Sequence, residues 1–209
     1  MIHFSGQNLS INRIERPIFK DLSFSISNGD ILVIRGSNGS GKSTLLRIMA
    51  GLITPTNGSI HWDGKSIFQQ NEEHRERLHY VGHLNPIKPA LTIHENIDFW
   101  TNLRTHPHKI TLALNKFQIT HLQHVLGRFL SAGQIRLANL ARIISSPAIL
   151  WLLDEPHTSL DEHATRTLNQ IINNHRENGG IIVISTHSNI EFNDKIEVNI
   201  DNYTPSRVK

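Results

Sequence analysis

Cysteine is absent from the 209-residue chain. Without it there is no disulfide framework, no thiol nucleophile and no cysteine-ligated metal site. The composition is consistent with a reducing compartment. The 14 histidines are scattered, and none stands in an HExxH or another metal-ligand spacing. These absences exclude disulfide-stabilised scaffolds and thiol enzymes.

The N-terminus lacks both a basic region and a long apolar segment. The sequence therefore predicts neither a signal peptide nor a transmembrane helix, so any role at a membrane requires a partner. The net charge is +3 with neutral histidines, and no dense basic run accompanies it. We therefore expect no nucleic-acid partner.

A glycine-rich loop at 36–44 organises the chain, because it fits the phosphate-binding pattern G-x-x-x-x-G-K-[ST]. The apolar run at 31–34 predicts a buried strand before the loop, and the run at 45–50 predicts a helix after it. Glycines let backbone amides turn inward around phosphates, and the helix N-terminus adds a positive dipole end. The loop residues expected to bind the nucleotide are Gly36, Ser37, Asn38, Gly39, Ser40, Gly41, Lys42, Ser43 and Thr44.

Two residues of this loop have specific predicted roles. The Lys42 ammonium reaches the β- and γ-phosphates of ATP, and the Ser43 hydroxyl ligates Mg²⁺. The alternative is a flexible Gly/Ser turn that happens to contain a lysine. That alternative does not account for the predicted strand and helix on either side of the loop.

The first 30 residues predict an antiparallel β-layer, since apolar positions alternate at 9–11 and 22–26 before a turn signal at 28–30. In nucleotide-binding domains that start this way, an aromatic ring often stacks on adenine from this layer. The matching position here is Arg13, whose guanidinium can stack on a base. A solvated arginine in a turn is an equal alternative.

Helical spacing recurs at 93–129 and indicates a separate lobe, with an apolar stripe at 122–129. The next helix opens at 130–134, and Ser131 is its predicted N-cap. We expect a single domain over 1–209. Its core lobe covers about 1–83 and 147–209, and its helical lobe covers about 84–146.

Two further apolar runs end in side chains that suit catalysis. The run at 148–153 leads into Asp154 and Glu155, and the run at 181–184 leads towards His187. Parallel strands end at one edge of an open α/β sheet, where ligands bind. We expect Asp154 to hold Mg²⁺, Glu155 to orient and deprotonate the attacking water, and His187 to contact the γ-phosphate. The alternating residues at 196–200 predict a final strand.

In this order, five segments resemble the Walker A, signature, Walker B, D-loop and H-loop motifs of ATP-binding-cassette (ABC) ATPases. They are 36–43, 130–134, 150–155, 159–161 and His187. The resemblance covers essentially the whole chain. It implies an α/β fold of the P-loop NTPase class, with a mainly parallel sheet core, an N-terminal antiparallel β-layer and a helical subdomain. It also implies ATP hydrolysis with Mg²⁺ as cofactor.

The resemblance further implies a second copy of the chain. Domains of this family pair head to tail, so Ser131, Gly133 and Gln134 of one copy would close over ATP held by Lys42 of the other. A capped helix N-terminus that faces a γ-phosphate is physically favourable.

Two segments depart from the general sequence pattern of ABC ATPases and so restrict which members of the family the chain resembles. The signature reads Leu-Ser-Ala-Gly-Gln where the general form is LSGGQ, and His83 stands where the family normally has a glutamine that reaches the metal site. A predicted strand begins at 80–82 and runs into His83. We expect His83 to take the glutamine's place, because a neutral imidazole offers one donor and one acceptor. A surface histidine in a loop is the alternative.

The altered signature, the Tyr-x-Gly-His segment at 80–83 and the segment at 174–180 resemble the ATP-binding subunits of bacterial cytochrome c maturation exporters. This resemblance implies integral-membrane ABC subunits as partners. It implies a peripheral location at the cytoplasmic face of the inner membrane. The implied function is haem export or release of a haem-loaded chaperone.

Three alternatives remain open at this point. The chain could serve another small ABC transporter, or it could be a soluble cassette ATPase such as a cluster-assembly factor. Cassettes of DNA repair and translation usually have long insertions or two cassettes in one chain, and this chain has neither. A non-hydrolysing nucleotide-gated scaffold is the third alternative, but such proteins often lack the base that Glu155 would supply.

Overall fold

A computed structural model describes residues 1–14, 16–104, 109–187 and 192–205. By its backbone contacts the chain divides into two compact units. Unit 1 consists of Met1–Tyr80, Ile149–Glu155 and His175–Lys209. Unit 2 consists of Val81–Ala148 and Pro156–Asn174. The lobe boundaries expected from the sequence remain a prediction.

The described part of the chain contains nine strands and six α-helices. In order they are β1 (His3–Arg13), β2 (Arg16–Ser27), β3 (Ile31–Arg35), α1 (Lys42–Met49), β4 (Asn57–Trp62), β5 (Lys65–Ser66), α2 (Asn71–Arg77), β6 (Leu78–Val81), α3 (Ile93–Thr101), α4 (Ile110–Lys116), α5 (Ala132–Ser145), β7 (Leu150–Asp154), α6 (Glu162–Glu177), β8 (Ile181–Ser185) and β9 (Ile196–Asn199). Three 3₁₀ turns cover Thr120–Leu122, Gly127–Phe129 and Ile200–Tyr203. None of the helices in the described ranges is long and apolar enough to span a bilayer.

The N-terminal strands form an antiparallel sheet in the order β2-β1-β4-β5. In β2, Leu22, Phe24 and Ile26 are buried and alternate with exposed residues, as expected for a sheet with one face on the core. The β1–β2 hairpin ends where Arg13 pairs with Arg16. The predicted antiparallel β-layer is therefore confirmed.

The second sheet has the order β6-β7-β8-β3-β9, and its strands β7, β8, β3 and β9 run parallel. Every residue of β7 and β8 is buried. Continuous apolar runs of this kind are typical of parallel strands that are covered on both faces. The predicted α/β fold with a mainly parallel sheet core is confirmed.

One hydrophobic core joins the two sheets of unit 1 to α1. Helix α1 contributes Leu45, Leu46, Ile48 and Met49, which are almost completely buried. Each such side chain stabilises the fold by roughly 1.5–3 kcal/mol relative to an exposed one. The phosphate loop therefore connects two elements, β3 and α1, whose side chains are packed in the hydrophobic core.

Unit 2 is mainly helical, and α5 packs against both α3 and α4. Its interior contains Arg142, whose guanidinium lies 4.0 Å from the centre of the Trp100 ring. Burial lowers the pKa of Arg142 to about 10, so the side chain still carries a proton at neutral pH. The cation–π contact compensates part of the cost of burying that charge.

Three sequence predictions need correction. The stripe at 122–129 forms no α-helix. Leu122 and Gly127–Phe129 lie in two 3₁₀ turns, and between them the carbonyls of Gln123 and Val125 accept hydrogen bonds from the first amides of α3. Strand β6 ends at Val81 and does not reach His83. Strand β9 ends at Asn199, whose side chain accepts the Asp201 amide and starts a 3₁₀ turn.

Candidate active site

The phosphate loop connects β3 to α1, and its glycines have conformations that other residues avoid. Gly36, Gly39 and Gly41 have φ values of 148°, 79° and 107°. A Cβ atom on Gly41 would lie 2.5 Å from Ile18 Cγ2. The loop can therefore pack closely against its surroundings only with glycine at this position.

The Lys42 side chain turns back into the loop that precedes it. Its ammonium group donates hydrogen bonds to the carbonyls of Gly36, at 2.8 Å, and Ser37, at 3.1 Å. The residue is 7% exposed. The Lys42 ammonium thus lies against the glycine-rich loop at the N-terminus of α1, where a cation and a helix dipole together favour phosphate oxygens.

Asp154 lies at the end of β7 and is 1% exposed. The parallel register pairs it with Ser185, the last residue of β8. The Ser185 hydroxyl donates a hydrogen bond to Asp154 Oδ1. This bond fixes the orientation of the carboxylate at the edge where the parallel strands end.

The next residue, Glu155, has an unusual backbone. Its φ is 47°, a left-handed conformation that costs energy for a residue with a side chain. The Glu155 amide donates to the carbonyl of Ser185 at 3.1 Å, which holds the turn. Strain of this kind concentrates at functional sites.

The Glu155 carboxylate lies between two groups that can carry positive charge. Its Oε2 is 2.9 Å from Nδ1 of His187, and its Oε1 is 4.0 Å from Nζ of Lys42. The Glu155 side chain is 14% exposed, whereas that of His187 is 60% exposed. The three side chains that the sequence assigned to ATP chemistry therefore come together, and the carboxylate is oriented and still open to water.

Ser43 and Asp154 supply hard oxygen donors of the type that Mg²⁺ prefers. Within the described ranges, no group of three or more His, Asp or Glu side chains is arranged to hold a metal ion. Mg²⁺ that is bound together with a nucleotide keeps several waters and takes phosphate oxygens as ligands, so one or two protein oxygen donors are enough to hold it. The donor set thus fits the cofactor that the sequence implies.

The signature segment lies in unit 2 at the start of α5. Ser131 caps the helix, and its hydroxyl accepts a hydrogen bond from the Gln134 backbone amide at 3.2 Å. In return, Gln134 Oε1 accepts a hydrogen bond from the Ser131 backbone amide at 2.9 Å. A Cβ atom on Gly133 would lie 3.0 Å from the Ser159 carbonyl. Glycine therefore lets this helix start approach the segment at 159–161 closely.

His83 and Arg13 are exposed residues whose predicted roles are untested. His83 lies two residues beyond the end of β6, and Arg13 ends β1 at the tip of a hairpin. The segment around His83 is anchored within unit 2, because the Arg136 guanidinium donates to the Gly82 carbonyl and to Asn85 Oδ1, both at 3.1 Å.

Ser185 orients Asp154, and Arg136 anchors the segment around His83, but neither had an assigned role in the sequence analysis. Ser185 could have been found from strand register, since it ends a predicted parallel strand next to the one that ends in Asp154. The signal for Arg136 is a polar stripe at 136, 139 and 142 on a helix that is otherwise apolar on that side. Charged residues at core positions of a helix usually have specific partners.

The fold and the site define a nucleotide-binding domain of the P-loop class. A structure titled as a putative ABC transporter ATP-binding protein from Pyrococcus furiosus matches 97% of this chain and 100% of its own with a TM-score of 0.84 at 22% identity. A second, titled as the ATP-binding subunit of an ABC transporter, matches 88% of this chain and 79% of its own with a TM-score of 0.81. These similarities establish the fold.

Sequence comparison establishes the family. The ABC transporter family model matches residues 19–158. The cytochrome c biogenesis ATP-binding export protein CcmA of Paramagnetospirillum magneticum is 42% identical over 206 residues, which cover 96% of this chain and 94% of that protein. Its counterparts from Rhodospirillum rubrum and Haemophilus influenzae are 45% and 35% identical, over 97% and 95% of this chain and 87% and 95% of their own lengths.

The chain therefore belongs to the ABC transporter family. Within that family it is an ATP-binding ATPase domain.

Proposed function

We propose that this chain is the ATP-hydrolysing subunit of an ABC complex for c-type cytochrome biogenesis, where turnover drives haem export or the release of a haem-loaded chaperone. The observation that carries the proposal is similarity over nearly the full length to two proteins named as cytochrome c biogenesis ATP-binding export proteins, at 42% and 45% identity. The family acts in general with membrane partners and as dimers. Here the partners are integral-membrane ABC subunits, and the chain lies at the cytoplasmic face of the inner membrane.

In this proposal, residues 36–44 bind the triphosphate of ATP. The loop amides and the N-terminus of α1 take the phosphate oxygens. The Lys42 ammonium exchanges the carbonyls of Gly36 and Ser37 for β- and γ-phosphate oxygens, which accept charge-assisted hydrogen bonds. Ser43 and Asp154 would hold Mg²⁺, which would neutralise phosphate charge.

Glu155 is the proposed general base. Its carboxylate accepts a proton from the water that attacks the γ-phosphorus. The His187 Nδ1–H group donates to Glu155 Oε2 at 2.9 Å, which orients the carboxylate towards the attacking water. Lys42 Nζ lies 4.0 Å from the same carboxylate. The side chain proposed to bind the phosphates is therefore next to the side chain proposed to activate the water.

A second copy completes the proposed site. Ser131, Gly133 and Gln134 of one copy close over ATP bound to the other, head to tail. The N-terminus of α5 supplies amides and a positive dipole end to the γ-phosphate. Arg13 would stack on adenine, and His83 would link the metal site to the membrane subunit.

Glu155→Gln tests the assignment of the base. The amide keeps the shape of the side chain but cannot accept the proton, so phosphate release should fall by about 10²–10⁴-fold. ATP binding should persist, and light scattering with Mg-ATP should detect an accumulated dimer. Glu177→Gln is the matched control, because it makes the same change at an exposed position. Unchanged turnover in Glu155→Gln would rule out this role.

Complementation tests the biological role. In a bacterial strain that lacks its own equivalent subunit, the wild-type chain should restore haem-stained c-type cytochromes, and Glu155→Gln should not. Pull-down from detergent-solubilised membranes should recover integral-membrane ABC subunits. If the wild-type ATPase is active but neither result is obtained, the chain serves a different ABC system.

His83 can be tested in the assembled complex. His83→Gln should keep most of the partner-stimulated ATPase activity, because glutamine also offers one donor and one acceptor group. His83→Ala should lose much of the stimulation and little of the ATP binding. An alanine variant that behaves like the wild type would make His83 an ordinary loop residue.

A further inference from the structure

The chain's last described turn lies beside the phosphate loop. Strand β9 runs parallel to β3, and the pairing places Asn199 next to Arg35. Both strands end at the same edge, so the 3₁₀ turn Ile200–Tyr203 emerges next to the loop that begins at Gly36. The turn and the loop belong to unit 1.

Asp201 makes two hydrogen bonds to one loop residue. Its Oδ2 accepts the backbone amide of Ser37 at 2.8 Å, and its Oδ1 accepts the Ser37 hydroxyl at 2.9 Å. The Ser37 carbonyl accepts a hydrogen bond from Lys42 Nζ at 3.1 Å. Ser37 is therefore held by the carboxylate on one side and by the phosphate-binding lysine on the other.

The residue before Asp201 reinforces this contact. Ile200 is completely buried. A Cβ atom on Gly36 would collide with Ile200 Cγ2, and one on Gly41 would lie 3.5 Å from Ile200 Cδ1. One side chain of the C-terminal turn thus packs under both ends of the glycine loop.

The turn itself is well anchored. The Asp201 amide donates to Asn199 Oδ1 at 3.0 Å, and the Thr204 amide donates to the Asp201 carbonyl at 3.3 Å. Glu197 in β9 forms an ion pair with Arg35 in β3 at 2.8 Å, and the hydrogen bond from Arg35 holds the pKa of Glu197 below its usual range. The position of Asp201 is therefore set by bonds within the turn and between the two strands.

We propose that Asp201 is a positioning residue for ATP binding, which acts through Ser37 to fix the first turn of the phosphate loop. This inference rests on the proposed nucleotide site. A carboxylate near a triphosphate is electrostatically unfavourable, so the benefit of Asp201 comes from the loop geometry it holds. Binding then needs less ordering of the loop, and preorganisation of this kind increases affinity.

Two variants of Asp201 separate geometry from charge. Asp201→Ala removes both bonds, and ATP affinity should fall by about tenfold, as expected for charge-assisted hydrogen bonds. Asp201→Asn should stay within about threefold of the wild type, because its amide oxygen accepts the Ser37 N–H and its NH₂ donates to the Ser37 hydroxyl. If charge repulsion dominated instead, both variants would bind ATP more tightly.

The measurements are equilibrium binding of a fluorescent ATP analogue and thermal unfolding of the full chain. The control is Asn202→Ala, an exposed neighbour in the same turn, which should bind like the wild type. A purely structural anchor would lower the melting temperature of Asp201→Ala and leave the affinity of the folded protein unchanged. That result, or equal losses in Asp201→Ala and Asp201→Asn, would overturn the inference.

Ser37 provides a second, milder test if Asp201→Ala does not fold. Ser37→Ala removes only the hydroxyl bond, so affinity should fall by about threefold, and Ser37→Thr should restore it. Where Asp201→Ala does fold, the two effects should not add in the double variant Ser37→Ala/Asp201→Ala, because both act on one contact. Additive losses would contradict the proposal. A wild-type chain that binds no ATP would instead refute the proposed site itself.

Discussion

Helices α3 and α5 begin with the same local motif but have different surroundings. In each helix, the hydroxyl of the N-cap residue accepts a hydrogen bond from the backbone amide of the residue three positions later. The side chain of that later residue accepts a hydrogen bond from the backbone amide of the N-cap residue. The pair is Thr92 and Glu95 in α3, and Ser131 and Gln134 in α5. The reciprocal bonds satisfy two of the amides that a helix start leaves unpaired.

The first backbone amides of α3 all donate hydrogen bonds to acceptors within the described chain. The Ile93 amide donates to the Val125 carbonyl at 3.1 Å, and the His94 amide donates to the Gln123 carbonyl at 3.0 Å. The Glu95 carboxylate also adds a negative charge at the positive end of the helix dipole. Nothing at this helix start remains for a ligand, so its capping box serves the fold.

The start of α5 differs from that of α3 both in its charge and in the partners of its amides. Its first turn contains no acidic residue. Among the described residues, neither the Ala132 amide nor the Gly133 amide has a hydrogen-bond partner. The neutral Gln134 closes the capping box without cancelling the dipole. The comparison indicates that one local motif can be satisfied entirely within the fold, as in α3, or can leave amides open for the anion contact proposed for α5.

Gln134→Glu should give the start of α5 the same acidic capping residue that α3 has at Glu95. The carboxylate would favour the helix dipole, so the melting temperature should stay equal or rise. It would also repel a γ-phosphate brought by a second copy, and steady-state phosphate release should fall by at least about tenfold. Measured together, unfolding and turnover should change in opposite directions. Wild-type turnover in this variant would remove the charge argument.

Ser131→Ala and Thr92→Ala form a matched pair. Each removes an N-cap hydroxyl, and each should lower the free energy of unfolding by about 1 kcal/mol. Only Ser131→Ala should also lower phosphate release, by several-fold, because its helix start would face the nucleotide of the second copy. Denaturant unfolding and turnover assays on both proteins check this difference. Equal activity losses would mean that helix stability alone matters.

Glu95→Gln should have a smaller effect. It gives α3 the neutral cap of α5, and the capping geometry can be retained because glutamine also caps in this position. We expect a slight decrease in melting temperature and turnover within about twofold of the wild type, since the first amides of α3 keep their partners at Val125 and Gln123. A large loss of turnover would show that α3 contributes to ATP chemistry.

Local pattern was enough to predict the glycine-rich loop between a strand and a helix and the strands that end at Asp154 and Ser185. Each depends on a short motif next to an apolar run. The N-cap at Ser131 is confirmed for the same reason. These features are encoded within a few residues, so the structure could be anticipated there without knowledge of distant contacts.

Other features depend on contacts between segments far apart in sequence. Asp201 and Ser37 are 164 residues apart, and only the parallel pairing of β9 with β3 brings them together. The 3₁₀ turns at Thr120–Leu122 and Gly127–Phe129 replace a predicted helix because α3 uses carbonyls of the intervening segment. Long-range pairing overrode local propensity in this segment, as it often does.

Acid should reduce the difference between the two helix starts. Hydrogen bonds from the Thr92 amide and hydroxyl hold the pKa of Glu95 below its usual range, whereas Gln134 does not titrate. Because the folded pKa is the lower one, the folded chain binds fewer protons at this site than the unfolded chain. The contribution of Glu95 to stability is therefore complete above the unfolded pKa of about 4.3 and is lost as the pH falls through the folded pKa.

The difference in unfolding free energy between the wild type and Glu95→Gln should therefore be constant from about pH 7 to pH 5.5 and shrink at lower pH. Gln134→Glu should acquire the same behaviour relative to the wild type, because its new carboxylate would accept the Ser131 amide as Glu95 accepts the Thr92 amide. Denaturant titrations of the three proteins at several pH values provide the measurement. Differences that stay constant down to pH 4 would mean that neither cap gains from its charge, and that the two helix starts differ only in the partners of their amides.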